Sequence, residues 1–319
     1  MKKLLFLLFL LFPTLAVCGE PLLLINPGRE TFLNFPSASV GNDKTVTVFL
    51  PEPAVPLRGR YPVIYLLGAG PDDAQAAQEK LDGSTRKAIL VGVNFTDAEL
   101  ADTDKIATFF SRELVPYIDT NYPTVDEPAF RGVASDGAAG AKALAALLSK
   151  KNLFTRAFIL NGGTEPVSLA GADPALRVLL AGERAQAAVW QQTLEDMHMT
   201  YGKDFVTALG GTELLLALDL DYLLAPEEDL AVKKAKAQVQ PAKISLSADE
   251  KAVLSVKATL ENGREYDYIP LSPRMSPPYL SWDAAGGELE PISGATSGTV
   301  KISGFVDKKT FKAKIRLKK

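Results

Sequence analysis

From about Phe32 to Leu224, short apolar runs alternate with helix-patterned segments, and this alternation constrains the 319-residue chain more than any other feature. Candidate strands fall at 44–50, 62–67, 88–94, 129–134, 157–160, 176–181 and 213–218. The inner ones are nearly continuous apolar runs, such as Val63-Ile64-Tyr65-Leu66-Leu67. Runs of that kind suit parallel strands covered on both faces. Between them, 105–119, 138–150 and 186–201 carry apolar residues at helical spacing. The alternation predicts an α/β domain with a mostly parallel sheet and helices on both faces.

The texture changes after residue 230. The stretch 231–243 is rich in Lys, Ala and Gln, meets Pro241 and has no clean apolar face, so it reads as a helix end or a linker, bounded at 233–242. Beyond it, 243–246, 252–260, 266–269, 298–302 and 311–317 alternate apolar and polar residues, as half-buried strands do. Asn262-Gly263 marks a tight turn between two of them, and Trp282 reads as the core aromatic of a small sandwich. The expected plan is a leader over 1–18, an α/β domain over 19–232, the linker, and a small all-β module over 243–319.

The leader begins Lys2-Lys3 and continues in an apolar run over 4–12 that ends at Pro13. That is the pattern of a secretory signal peptide, and the run is too short to span a bilayer comfortably. Cys18 is the sole cysteine. Leu15-Ala16-Val17-Cys18 resembles a bacterial lipoprotein box, except that Val17 stands where the box has a small residue, so lipidation at Cys18 and ordinary cleavage both remain open. Neither leaves a disulfide framework or a cysteine metal site. A net charge of −3 makes no case for nucleic acid or an acidic membrane as partner, and no later segment is apolar for long enough to span. The expectation is an exported bacterial protein: periplasmic, at the cell surface or extracellular.

Three segments resemble the esterase branch of the α/β hydrolases, the group that holds esterase D, enterochelin esterase and antigen 85. Residues 44–70 are similar to that family's strand, Pro-rich turn and strand into the oxyanion loop, and 109–122, Phe-Phe-Ser-Arg-Glu-Leu-Val-Pro-Tyr-Ile-Asp-Thr-Asn-Tyr, to its helix ending in Glu-Leu-x-Pro-Tyr-Ile-Asp. Residues 130–163 are similar to its nucleophile turn, the helix after it and the next strand. The family's nucleophile sits in a Gly-x-Ser-x-Gly turn that lifts the Ser above the sheet. A Leu-Phe pair closes the following helix, its Phe seventeen positions after the Ser. Here the pair is Leu153-Phe154, which puts Gly137 at the nucleophile, Arg131 on the family's basic residue and Leu144 on its apolar one. The elbow then reads Ser135-Asp136-Gly137-Ala138-Ala139, with Gly140 following, and it has no side chain to attack a carbonyl. A second register makes Ser135 the nucleophile, with one glycine of the two.

A serine esterase also needs an imidazole to accept the hydroxyl proton. The chain has one histidine, His198, within a helical stretch where it reads as a partly buried helix residue. The family's order is Ser, Asp, His, with the His after the last strand. There the chain reads Asp219-Leu220-Asp221-Tyr222, and after 176–181, where the family's Asp follows, it reads Gly182-Glu183-Arg184. In the second register, Ser135, His198 and Glu183 are the available set.

Gly68-Ala69-Gly70 is not a phosphate loop, because no Lys-Ser/Thr follows it. Asp72 and Asp73, with Asp136 and Asp219, could in principle hold a cation, but they read better as solvated loop carboxylates. No metal and no cofactor is expected. In open α/β sheets, ligands bind beyond the carboxyl ends of the strands. The candidate cleft is therefore lined by Gly68, Ala69, Gly70, Asp72, Asp73, Asp136, Ala138, Asp219 and Asp221. The run Pro291-Ile292-Ser293-Gly294-Ala295 to Leu317 resembles a bacterial immunoglobulin-like domain. Together these readings give an α/β-hydrolase fold followed by an immunoglobulin-like sandwich. They imply a non-catalytic binding or scaffold role toward a protein or glycan of the cell envelope. An active serine hydrolase using Ser135 and a structural subunit of an envelope assembly are the alternatives.

Overall fold

The computed structural model of the chain describes residues 23–26, 28–51, 60–82, 87–165, 167–210, 219–246 and 250–319. The leader and Cys18 lie outside them, as does the strand expected at 213–218. The first nine strands are β1 (Leu23–Asn26), β2 (Arg29–Phe35), β3 (Lys44–Phe49), β4 (Val63–Leu67), β5 (Ile89–Val93), β6 (Arg131–Asp136), β7 (Arg156–Leu160), β8 (Arg177–Gly182) and β9 (Phe205–Leu209). They are ordered β1-β2-β3-β5-β4-β6-β7-β8-β9, parallel from β5 through β9. Every residue of β4, β5 and β7 is buried, as continuous apolar runs require.

The helices are α1 (Pro71–Asp82), α2 (Asp97–Leu100), α3 (Thr103–Phe109), α4 (Val115–Asn121), α5 (Gly137–Leu148), α6 (Arg184–Asp196) and α7 (Leu220–Leu223). The single helix expected at 105–119 is continuous from α3 to α4 through a π-helical turn, Phe110–Leu114. Pro116 follows that turn and has no N–H for the helical ladder, so the irregularity falls where the regular bond is missing. Phe154 packs edge-to-face against Tyr65, with Phe110 also against it, at ring separations of 5.5 and 6.1 Å. Arg131, 6% exposed, donates to Asp119 at 2.8 Å and pairs with Asp126. These contacts place the Leu153-Phe154 pair and Arg131 in the core that supports the elbow. No helix among the described residues is long and apolar enough to cross a membrane.

The remaining strands are β10 (Val232–Gln240), β11 (Lys243–Ser245), β12 (Ala252–Leu260), β13 (Glu265–Tyr268), β14 (Arg274–Ser276), β15 (Leu280–Asp283), β16 (Glu288–Pro291), β17 (Gly298–Val306) and β18 (Lys309–Lys318). The stretch read as a linker, 233–242, instead carries β10, paired antiparallel with β12 from Val232 opposite Leu260 to Gln240 opposite Val253. Its inward positions are Ala235, Ala237 and Val239 and its outward ones Lys234, Lys236 and Gln238. Period-two patterning is present but Ala is too weakly apolar to display it. Lys and Ala also favour helix by propensity, so pairing with β12 overrides local preference.

The hydrolase-type sheet does not stop at β9. Thr207 of β9 pairs with Asp267 of β13, so among the described residues one 14-stranded sheet continues into β12, β16 and β15. A second sheet, β11-β18-β17-β14, buries Val300, Ile302, Phe311, Ile315 and Leu317 in the same core as Leu254, Val256 and Leu289. Trp282 is not central to that sandwich. It is half-buried at the junction, donates to the Pro270 carbonyl at 2.7 Å, and lies 5.7 Å from the Arg184 guanidinium at the start of α6.

Candidate functional site

The parallel register aligns the carboxyl ends of the strands. Leu67 stands beside Ser135, Asp136 beside Leu160, Leu160 beside Ala181, and Gly182 beside Leu209. Segments leaving this row are therefore neighbours: Gly68-Ala69-Gly70, Gly137-Ala138, Asn161-Gly162-Gly163 and Glu183-Arg184.

Strand β6 passes into α5 with no intervening loop. Gly137 is the first helical residue and has φ +74°, a left-handed conformation that side-chain-bearing residues rarely adopt. This is the sharp strand-to-helix turn expected of a nucleophile elbow. A Cβ placed on Gly137 would meet no atom within 4 Å, so the position is open to the space above the sheet. The helix below runs close to the strand: a Cβ at Gly140 would lie 3.0 Å from the Cβ of Ser135.

That approach settles where Ser135 points. It is fully buried, and its Oγ has no hydrogen-bond partner among the described residues. The hydroxyl lies under α5, two residues before the left-handed Gly137. The neighbouring Asp136 is exposed and accepts from the Asn161 side chain at 3.1 Å.

His198 is corrected from a part-buried helix residue to an exposed one just past the end of α6, with φ +62° and its N–H on the Glu195 carbonyl. It ends the helix as a left-handed cap does. Since α6 starts at the elbow side with Arg184 and runs 13 residues, His198 sits about 20 Å away along the helix axis, toward the opposite end of the strands. Glu183 is exposed and precedes α6 without a side-chain capping bond. Ser135, Glu183 and His198 are not brought together.

Of the expected cleft residues, Gly68, Ala69, Gly70, Asp136 and Ala138 share the carboxyl edge. Gly68 has φ +74° and donates to Val93, Ala69 is buried, and α1 begins directly after Gly70. Asp72 is exposed in the first turn of α1, where Asp73 also lies. Asp219 and Asp221 do not belong to the cleft. Asp219 caps α7 and accepts from Arg264 at 2.7 Å and from the Tyr266 hydroxyl at 2.6 Å, and Asp221 pairs with the same Arg264. The chain beyond them is held by Arg177, at the amino end of β8, through the Leu223 and Ala225 carbonyls. Burial and the adjacent Asp219 carboxylate both push the Tyr266 phenol upward, so it stays a neutral donor.

Two features of the edge had no sequence signal. Asn161, at φ +48°, reaches across to Asp136, and the buried Trp190 of α6 donates to the Gly162 carbonyl at 3.1 Å. A Cβ at Gly163 would lie 2.8 Å from that of Ala138, so the loop after β7 lies directly against the elbow. On the other flank, Glu99 of α2 pairs with the buried Lys44. Burial works to raise its carboxyl, but hydrogen bonds from Lys44, Thr96 and Asn42 outweigh that and bring it down to about 2.

The flank beyond β8 is occupied by the C-terminal strands. Arg184 donates to the Ala284 carbonyl at 3.1 Å, and its burial there pulls the guanidinium down from its ordinary value. The Leu209 N–H, at the end of β9, donates to the Asp267 carboxylate at 3.0 Å. Among the described residues, the strand that ends this parallel row is β9, followed by Gly210, and its end is tied to β13.

A family model described as "Putative esterase" matches residues 37–207, more than half of the chain. A comparison with curated proteins finds no match. Among solved structures, an enterochelin esterase from Shigella flexneri is 16% identical, with a TM-score of 0.49 over 62% of this chain and 59% of that one. The S-formylglutathione hydrolase of Staphylococcus aureus is 16% identical, with a TM-score of 0.43 over 62% and 94%. A ferulic acid esterase from Anaeromyces mucronatus, solved with ferulic acid, is 13% identical, with a TM-score of 0.47 over 65% and 91%.

Proposed function

The chain belongs to this esterase family, and on that premise we propose that it is an exported member without Ser-His-Asp catalysis, serving as a binding or scaffold protein of the cell envelope. One observation carries the proposal: the residue at the elbow is Gly137, in the strained conformation the turn demands, with nothing at its Cβ position. The shape that presents a nucleophile is kept while the nucleophile is absent. Proton transfer points the same way, because the single imidazole of the chain is exposed beyond the far end of α6. Without a base beside a hydroxyl, no acyl intermediate forms.

The candidate ligand site is the carboxyl edge formed by Gly68-Ala69-Gly70, Asp136 to Ala138 and Asn161. The C-terminal strands are read as an immunoglobulin-like module docked on the flank where the family's acid and base loops would work, and this favours recognition over turnover. Export, with Cys18 as a possible lipid anchor, rests on the leader alone.

The rival reading, an acyl hydrolase using Ser135, is opposed by the burial of that hydroxyl under α5. Purified protein assayed with short p-nitrophenyl esters separates the two. The expected result is hydrolysis at the buffer rate, identical in Ser135→Ala. Turnover above buffer that Ser135→Ala abolishes would overturn the proposal.

A further inference from the structure

The outer face of the second sheet carries a segregated charge. Across β17 and β18, Lys301 lies opposite Lys314, Ser303 opposite Lys312 and Thr299 opposite Arg316, while Arg274 of β14 pairs with Ser303. Residues directly opposite one another share a face, and alternate residues on a strand return to it. Arg274, Lys301, Lys312, Lys314, Arg316 and Lys318 therefore project from one side, all exposed, while the alternate residues enter the core. The four strands of this sheet contain no Asp or Glu, although the chain as a whole carries a net charge of −3. Among the described residues, none of the six cations forms an ion pair.

Such a face opposes stability, because like charges directly opposite on neighbouring strands repel. Lysines often protect sheet edges from pairing with other chains. That explanation does not reach Lys301 or Lys314, because β17 and β18 are the two interior strands of this sheet. A partner that supplies negative charge accounts for the arrangement.

The geometry selects among anionic partners. Alternate residues of β18 stand about 7 Å apart, so Lys312 to Lys318 form a straight row about 20 Å long, with hydroxyls of Thr299, Ser303 and Thr310 beside it. Phe305, 59% exposed, presents its ring on the same face opposite Thr310. A groove of about 560 Å³ continues from Arg274, Phe305 and Lys312 toward Tyr268 and Glu195 of α6. Phe305 is the only exposed large apolar side chain in this sheet, whereas a membrane-binding face needs an apolar surface to bury. A linear polymer with regularly spaced charges and stackable rings matches the row, the hydroxyls and the single aromatic.

We propose that this face binds an acidic polysaccharide, laid along β18 with its anionic groups on the lysine row and a sugar ring against Phe305. The site is separate from the elbow and does not depend on the loss of catalysis. The test uses the mature full chain against immobilised polygalacturonate and heparin, with phosphatidylglycerol vesicles and duplex DNA as comparison ligands. We expect binding to at least one of the polysaccharides that falls about tenfold or more between about 50 and 200 mM NaCl, as counterion release dictates. The double variant Lys301→Glu/Lys314→Glu should lose about tenfold or more in affinity at a melting temperature no lower than the parent's. The neutralising pair Lys312→Gln/Arg316→Gln should reproduce the loss should the reversal destabilise the sheet. Phe305→Ala should weaken binding about threefold with the salt slope retained, and Lys151→Glu, remote on the hydrolase-type region, should leave it unchanged. Absence of binding to both polymers at the lower salt would overturn the proposal. So would equal weakening by Lys151→Glu, or binding to vesicles or DNA as tight as to the polysaccharides.

Discussion

The elbow and the junction between β9 and β13 lie on the same sheet, and they have been treated in opposite ways. At the elbow the backbone is kept: a left-handed Gly137, a close approach at Gly140 and a flanking loop pinned by Trp190, with no reactive side chain in the turn. At the junction polar side chains have accumulated: Arg184, Asp219, Arg264, Tyr266 and Asp267 each form a specific contact between the α/β region and the C-terminal strands. The first region is defined by backbone geometry and close packing, the second by specific polar bonds between side chains far apart in sequence.

Three substitutions press on that contrast, beginning with the largest effect. Trp190→Ala removes a 2% exposed ring and the bond to Gly162, and should lower stability by about 3–5 kcal/mol in denaturant unfolding. A loss below about 1 kcal/mol would mean the loop beside the elbow is not held in shape. Asp219→Ala strips Arg264, Tyr266 and the α7 cap of their shared carboxylate and should cost about 2 kcal/mol, without altering any ligand affinity measured at the elbow edge. A change in that affinity would return Asp219 to the cleft. Gly137→Ala meets no neighbour, so only the left-handed backbone resists it, and about 1 kcal/mol is expected from thermal unfolding. A substantially larger loss would show that the elbow is packed, not open.

The parallel strands were legible because full burial leaves continuous apolar runs, and the elbow because its motif, its helix and the Leu153-Phe154 pair are local in sequence. What escaped reading was set by distant partners. Strand β10 hides its inward face in alanines that only β12 explains, and Asp219 and Asp221 look like loop carboxylates until Arg264, more than forty residues on, is placed against them. Trp282 read as a core aromatic because its partner, Arg184, comes from the other region. The Trp190 bond to Gly162 spans 28 residues with no motif to announce it. His198 sat at helical spacing, but the helix ends two residues before it.

The tie between Leu209 and Asp267 makes the end of β9 a shared part of both regions. A side chain introduced at position 137 would find open space, and so leave the sheet undisturbed. Shifting β9 out of register would break the Leu209 bond to Asp267 and the pairing of Thr207 with Asp267, and with them this link to the C-terminal strands. Any change in the register of β9 is therefore also a change in how the C-terminal strands are held.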